Sequence, residues 1–129
     1  MTRPVWLALL LSIAGVLETV VALGLLVDPS FVASILLQSR LDAPGEVISR
    51  IAGGGLLAIG IACWIARKTP LAPASLGVAW ALLEYNVVAC VTLAWAGTAM
   101  ASGGLPALST SVLHGLFGAA LLVTLLRRG

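Results

Sequence analysis

The chain has 129 residues, of which 60% are hydrophobic and only 9% are charged. A soluble domain carries about 25% charged residues, so this composition excludes an ordinary soluble enzyme or binding domain. The net charge of +2 is too small to indicate nucleic-acid binding. We therefore expect one integral membrane domain over residues 1–129, with the lipid bilayer as its main surroundings.

Four apolar runs are each long enough to cross about 30 Å of hydrocarbon as a helix. The runs cover about residues 5–27, 46–66, 74–96 and 106–126. Asp28 and Pro29 end the first run, since this pair breaks a helix and begins a turn. The sequence therefore predicts an all-α membrane protein built as a four-transmembrane-helix bundle.

The connection between the first two spans is the longest in the chain. Its middle, residues 31–37, is apolar but too short to cross a bilayer. Such a segment is typical of a short helix that lies in the membrane interface. We expect Phe31, Ile35 and Leu36 to face lipid or the mouth of the bundle.

The basic residues indicate how the spans are oriented. Five of the seven lie in segments that an even number of spans puts on one side of the membrane, namely Arg3, Arg67, Lys68, Arg127 and Arg128. Loops rich in Lys and Arg remain in the cytoplasm. The pattern predicts a bacterial inner-membrane protein with both termini in the cytoplasm.

Small residues recur every four positions along several spans, which is typical of close helix packing in lipid. We expect these residues to lie at helix contacts. The set comprises Ala14 and Ala22 beside Glu18 in span one, Gly54, Ala58, Ala62 and Ala66 in span two, Gly77, Ala81 and Ala89 with Tyr85 in span three, and Gly115 and Ala119 in span four, with His114 and Gly118 on the adjoining face.

The ionisable side chains of Glu18, Glu84 and His114 and the amide of Asn86 lie deep inside the spans. An ionisable group at this depth costs about 2.5 to 3.5 kcal/mol on insertion scales, so it normally faces a bundle interior and marks a functional site. Glu18 and His114 come out about level, which predicts a carboxylate–imidazole pair. Consecutive residues point about 100° apart, so we expect either Glu84 or Asn86 inside and Tyr85 at a helix contact.

Arg50 lies nearer the outer mouth of the predicted bundle. It could pair with Glu18, hold an acidic ligand head group, or pair with Glu46 one helical turn away. The intramembrane Glu and His residues also have an alternative role, since they could serve only as polar links between helices.

The sequence contains no metal-ligand set, nucleophile elbow or cofactor fingerprint, so it favours a non-enzymatic role without metal or cofactor. Our leading hypothesis is a polar intramembrane pocket that binds a small amphipathic ligand or relays protons. One alternative is a non-catalytic accessory subunit that packs against other membrane subunits or forms a homo-oligomer. The other is a small proton-coupled efflux transporter.

Two families share features with this chain. The segment Arg50-Ile-Ala-Gly-Gly-Gly-Leu-Leu-Ala-Ile-Gly, with a Glu in span one and Tyr85-Asn86 in span three, resembles the DoxX-like group of small bacterial membrane proteins. That resemblance implies a fold and no particular activity. Glu18 is similar to the span-one Glu of small multidrug resistance transporters, but its neighbours Leu17 and Thr19 depart from their pattern.

The orientation is testable with reporter fusions. A reporter after Gly129 should give a cytoplasmic signal, because the positive residues hold that end inside. A reporter within residues 42–45 should give a periplasmic signal. A cytoplasmic signal from the second fusion would reverse the predicted orientation.

Overall fold

The computed structural model describes residues 2–99 and 104–127, and within them the chain forms five α-helices and no strand. The helices are α1 (Arg3–Val27), α2 (Pro29–Leu37), α3 (Ala43–Ala66), α4 (Pro73–Ala99) and α5 (Gly104–Leu126). The four long helices are apolar and long enough to cross a membrane. The predicted all-α four-helix bundle is confirmed, and each predicted span end lies close to a helix end.

The short helix between spans one and two is α2. Asp28 caps it by accepting a hydrogen bond from the Phe31 backbone N–H at 2.9 Å, and Pro29 takes a first-turn position. The helix ends at Gln38, which adopts a left-handed conformation with φ of 52°. Phe31 and Ile35 are 60% and 58% exposed, as the apolar pattern predicted. Because α2 contacts α1, α3 and α5, it covers one end of the bundle.

Helix α3 begins three residues earlier than the apolar run. The Asp42 carboxylate accepts a hydrogen bond from the Gly45 backbone N–H at 2.8 Å, which caps the first turn. At the other end the Arg67 guanidinium lies over the Trp64 ring, 3.8 Å from its centre. The Asp42 cap therefore decides where α3 begins, and the hydropathy pattern alone does not show this start.

The bundle consists of two tightly packed helix pairs. One is α1 with α3 and the other is α4 with α5, whereas the contacts between the pairs are fewer. Arg3 Nη2 donates a hydrogen bond to the Leu125 carbonyl at 3.0 Å, so the start of α1 and the end of α5 lie at the same end of the bundle. The core at that end contains the fully buried Leu7, Leu11 and Leu121.

Glycines bring α1 and α3 together. A Cβ on Gly60 would lie 2.6 Å from Thr19 Oγ1 and 3.2 Å from the Gly15 carbonyl oxygen. A Cβ on Gly53 would lie 3.1 Å from the Ala22 carbonyl oxygen. The two backbones approach closely because neither glycine carries a side chain.

The predicted contact face of α3 was partly wrong. Gly54 and Ala58 are exposed, and no atom lies within 4 Å of where a Gly54 Cβ would stand. The helix instead buries Gly53, Leu56 and Gly60, which lie on the neighbouring face. Because Gly53, Gly54 and Gly55 are consecutive, a four-residue repeat of small residues can follow either of two neighbouring faces of α3. Contact with α1 decides which of these faces is packed.

The predicted contact face of α4 was also wrong for Gly77 and Ala81, which are both exposed. This helix buries Ala79, Leu82 and Asn86, on its opposite side. By contrast, the prediction for α1 is confirmed, since Ala14, Glu18 and Ala22 are all buried.

The close approach of α1 and α3 predicts a difference between two glycine-to-alanine changes in one helix. Gly60→Ala should destabilise the protein by about 1 to 3 kcal/mol, because the methyl group overpacks the contact with Thr19. Gly55→Ala is the matched control, since nothing lies within 4 Å of its Cβ position. Thermal unfolding in detergent would compare them, and equal stability of the two variants would contradict this helix contact.

Candidate functional site

Asn86 and His114 form the polar centre between α4 and α5. Asn86 is 3% exposed and lies in the middle of α4, on the side that faces α5. Its Oδ1 lies 2.9 Å from His114 Nδ1. Two of the predicted site residues are therefore in direct contact.

The surrounding hydrogen bonds determine which histidine nitrogen carries the proton. Asn86 Nδ2 donates to the Leu82 carbonyl at 2.8 Å, which turns Oδ1 towards His114. An amide oxygen can only accept a hydrogen bond, so Nδ1 of His114 must donate. In the neutral ring Nε2 then has a free lone pair, and it makes no hydrogen bond with any described residue.

A groove of about 180 Å³ lies between α4 and α5, beside this hydrogen bond. Asn86 and His114 belong to its lining, and the exposed surface of the groove is almost entirely apolar. Its remaining walls come from Leu83, Val87, Cys90, Val91, Gly115, Gly118, Ala119 and Leu122. The groove is partly open to the outer face of the bundle, so it is accessible from lipid.

Small residues shape the groove. Gly115 and Gly118 leave room next to Cys90 and Asn86, since a Cβ on Gly115 would lie 3.3 Å from Cys90 Sγ. Beside them, Ser111 Oγ donates to the Cys90 carbonyl at 2.7 Å and holds α5 against α4. The groove thus results from missing side chains within a fixed helix pair.

Glu18 lies near this centre, next to Tyr85. Glu18 is 7% exposed on α1, and its carboxyl group is close to the Tyr85 hydroxyl across the two helix pairs, but no side-chain hydrogen bond joins them. Tyr85 also meets the His114 ring edge-on, with ring centres 5.7 Å apart.

The predicted Glu18–His114 pair is therefore replaced by a different arrangement. The imidazole bonds to Asn86, while Tyr85 packs against the His114 ring and lies near Glu18. The similar depths of Glu18 and His114 predicted a direct pair, but that argument left out the Tyr85 side chain, which lies close to both. Asn86 takes the inward position, as one of the two predicted alternatives.

Glu84 and Arg50 lie apart from this centre. Glu84 is exposed on the outer side of α4, because it points about 160° away from Asn86 on the helix. Arg50 is also exposed, and its Nη1 lies 3.1 Å from Glu46 Oε2. For Arg50 the structure thus shows the predicted pairing one turn away and no contact with Glu18.

Sequence reasoning placed Gly115, Gly118 and Ala119 beside His114 on the packed side of span four, but it missed the groove residue Cys90. Cys90 lies four positions after Asn86, a polar residue of the centre. Four-residue spacing places side chains on one helix face, so the pattern was present in the sequence. It is not specific, because most apolar residues of a span have such a neighbour.

No family model, curated protein or solved structure matches this chain. The resemblance to the DoxX-like group therefore depends on the sequence motifs alone. Within the described part of the chain, no three His, Cys, Asp or Glu residues are grouped so that they could hold a metal ion.

The hydrogen-bond pattern predicts the tautomer of His114, which is the only histidine in the chain. Nitrogen NMR of the imidazole should show a proton on Nδ1 in the neutral ring, because Asn86 Oδ1 accepts it. Asn86→Leu should remove this preference and populate the form with the proton on Nε2. A neutral ring protonated on Nε2 in the unmodified protein would show that the Asn86–His114 bond is not made as described.

Proposed function

We propose that this protein binds a small amphipathic molecule from the membrane in the groove between α4 and α5. The observation that carries the proposal is a hydrogen-bonded Asn86–His114 pair in the lining of an otherwise apolar groove. Ligand sites combine mostly apolar walls with a few polar groups that fix the ligand's orientation. This combination is present here.

The size of the groove supports a small apolar group as part of the ligand. Its volume is about 180 Å³, and an apolar cavity of about 150 Å³ is large enough to bind benzene. A ring or a short branched chain would fill it. A longer tail would extend along the exposed side of α5, among the lipid chains.

The ligand's polar group should be a hydrogen-bond donor. His114 Nε2 is an acceptor in the neutral ring, because Nδ1 donates to Asn86. A rotation of the half-buried His114 ring would expose Nε2 to the groove, whose surface is otherwise apolar. A hydroxyl or amine would then complete this acceptor, whereas a carbonyl or ether would not. We therefore propose an amphipathic alcohol or amine as the ligand class.

A proton relay through the same residues has less support. Glu18, Tyr85 and His114 follow one another across the bundle, which resembles the titratable chains of transporters. However, Tyr85 and His114 pack as a T-shaped ring pair, and no hydrogen bond joins Tyr85 to Glu18 or to His114. A relay would need water at this step, so the contacts favour ligand binding.

The proposed location is the bacterial inner membrane with both termini in the cytoplasm. The hydrogen bond from Arg3 to Leu125 supports the even number of crossings on which this orientation depends. The excess of basic residues at that end supports the cytoplasmic side.

Photolabelling in liposomes tests the ligand class. The probes are a medium-chain alcohol that carries a diazirine and its methyl ether. The alcohol should label residues of α4 and α5 around the groove much more strongly than the ether, and unlabelled alcohol should compete. His114→Phe should reduce alcohol labelling to the level of the ether, because Nε2 is lost.

Two tryptophan variants of neighbouring residues provide the matched control. Ala119→Trp should fill the groove and abolish labelling, because Ala119 lines it. Ala120→Trp should leave labelling unchanged, because Ala120 is also exposed but lies outside the groove. Equal labelling by both probes, or equal labelling of the two variants, would refute the proposed site.

A further inference from the structure

A second pocket lies at the end of the bundle that α2 covers. Its volume is about 160 Å³, and it is lined by Asp28, Ser30, Phe31, Ser34 and Arg40. Unlike the groove between α4 and α5, its lining includes one negatively and one positively charged side chain. Asp28 directly follows the last residue of α1, so the pocket lies where the first span ends. This is the depth at which the head groups of a bilayer begin.

The two charged side chains of this pocket do not neutralise each other. Among the described residues, the one ion pair joins Arg50 to Glu46, so Asp28 and Arg40 form none. The Arg40 guanidinium makes no hydrogen bond in the same part of the chain. The Asp28 carboxylate accepts a single hydrogen bond, through Oδ1 from the Phe31 backbone N–H at 2.9 Å. A ligand that carries one charge of each sign could therefore bind here.

The hydroxyl groups of the lining are left as acceptors. Ser30 Oγ donates to Glu46 Oε1 at 3.0 Å, and Ser34 Oγ donates to the Phe31 carbonyl at 2.7 Å. Each hydroxyl has only one proton, so both oxygens can now only accept, as the Asp28 carboxylate does. A primary ammonium has three donors and no acceptor, so it matches this set. A trimethylammonium group has no N–H donor and does not match it.

Arg40 complements this set with donors. Its guanidinium carries five N–H groups in a fixed fork, which suits a phosphate. The N-terminus of α2 does not compete for the phosphate, because the Asp28 side chain already caps it. The lining thus combines a site for a primary ammonium with a site for a phosphate.

We propose that this pocket binds the phosphoethanolamine head group of a membrane phospholipid, with the ammonium on Asp28 and the phosphate on Arg40. In this head group a short ethylene link holds the two charges close together. A lipid is favoured over a free solute because Phe31 and Ile35 are 60% and 58% exposed on α2, one turn apart. The acyl chains of the same lipid would cover them. The site is separate from the groove and does not depend on the ligand proposed there.

Native mass spectrometry of the purified full chain in detergent tests the site with defined lipids. Phosphatidylethanolamine and phosphatidylcholine with identical acyl chains are titrated, and the lipid-bound fraction of the protein is measured. The ethanolamine lipid should bind about tenfold more tightly, because the choline ammonium cannot donate hydrogen bonds. Soluble phosphoethanolamine should compete only at a much higher concentration. Competition at an equal concentration would overturn a lipid as the occupant.

Two aspartate variants provide the matched control. Asp28→Asn should remove most of the preference for ethanolamine, because the charge is lost although Asn caps a helix as well as Asp does. Asp42→Asn should keep the preference, because Asp42 caps α3 in the same way, through the Gly45 N–H at 2.8 Å, but does not line the pocket. Arg40→Gln should weaken binding of both lipids, since both carry the phosphate. Circular dichroism and thermal unfolding check that each variant is folded.

Four results would overturn the proposal. They are equal binding of the two lipids to the unmodified chain, a preference that survives Asp28→Asn, a preference that is lost equally in Asp42→Asn, and unchanged lipid binding in Arg40→Gln. The photolabelling test of the groove is independent of all four, because the two linings share no residue.

Discussion

The close approach of α1 and α3 is the contact on which the other features depend. In lipid, helices gain little from hydrophobicity when they associate, so the association depends on packing and on hydrogen bonds. Gly53 and Gly60 let the backbone of α3 come almost into contact with that of α1. This contact fixes the rotation of α1, and that rotation buries Glu18 instead of leaving it in lipid.

Two polar residues of α4 that are only two positions apart lie on opposite sides of that helix. Asn86 faces α5 and bonds to His114, whereas Glu84 is exposed on the other side of α4. One helix thus carries a proposed ligand site on one side and an exposed carboxyl group on the other. The separation follows from helix geometry, since a displacement of two residues reverses most of the direction.

Tyr85 connects the two helix pairs. It follows Glu84 in sequence, lies near the Glu18 carboxyl group on α1, and packs against the His114 ring on α5. The pairs have few other contacts with each other. Any movement of one pair against the other would therefore change the surroundings of His114, and a ligand in the groove would be affected by it.

Hydropathy and helix caps in the sequence determined the number of spans, their approximate ends and the short helix α2, because a long apolar run in water has no stable alternative to insertion. The sequence also identified Glu18, Asn86 and His114 as polar groups of the interior. It could not decide which side of α3 or α4 is packed, since apolar and small residues occur all round these helices and lipid tolerates them on every side. Only the tertiary structure placed Tyr85 between Glu18 and His114, turned Glu84 outward and opened the groove, because these outcomes depend on the rotation of each helix against its partner.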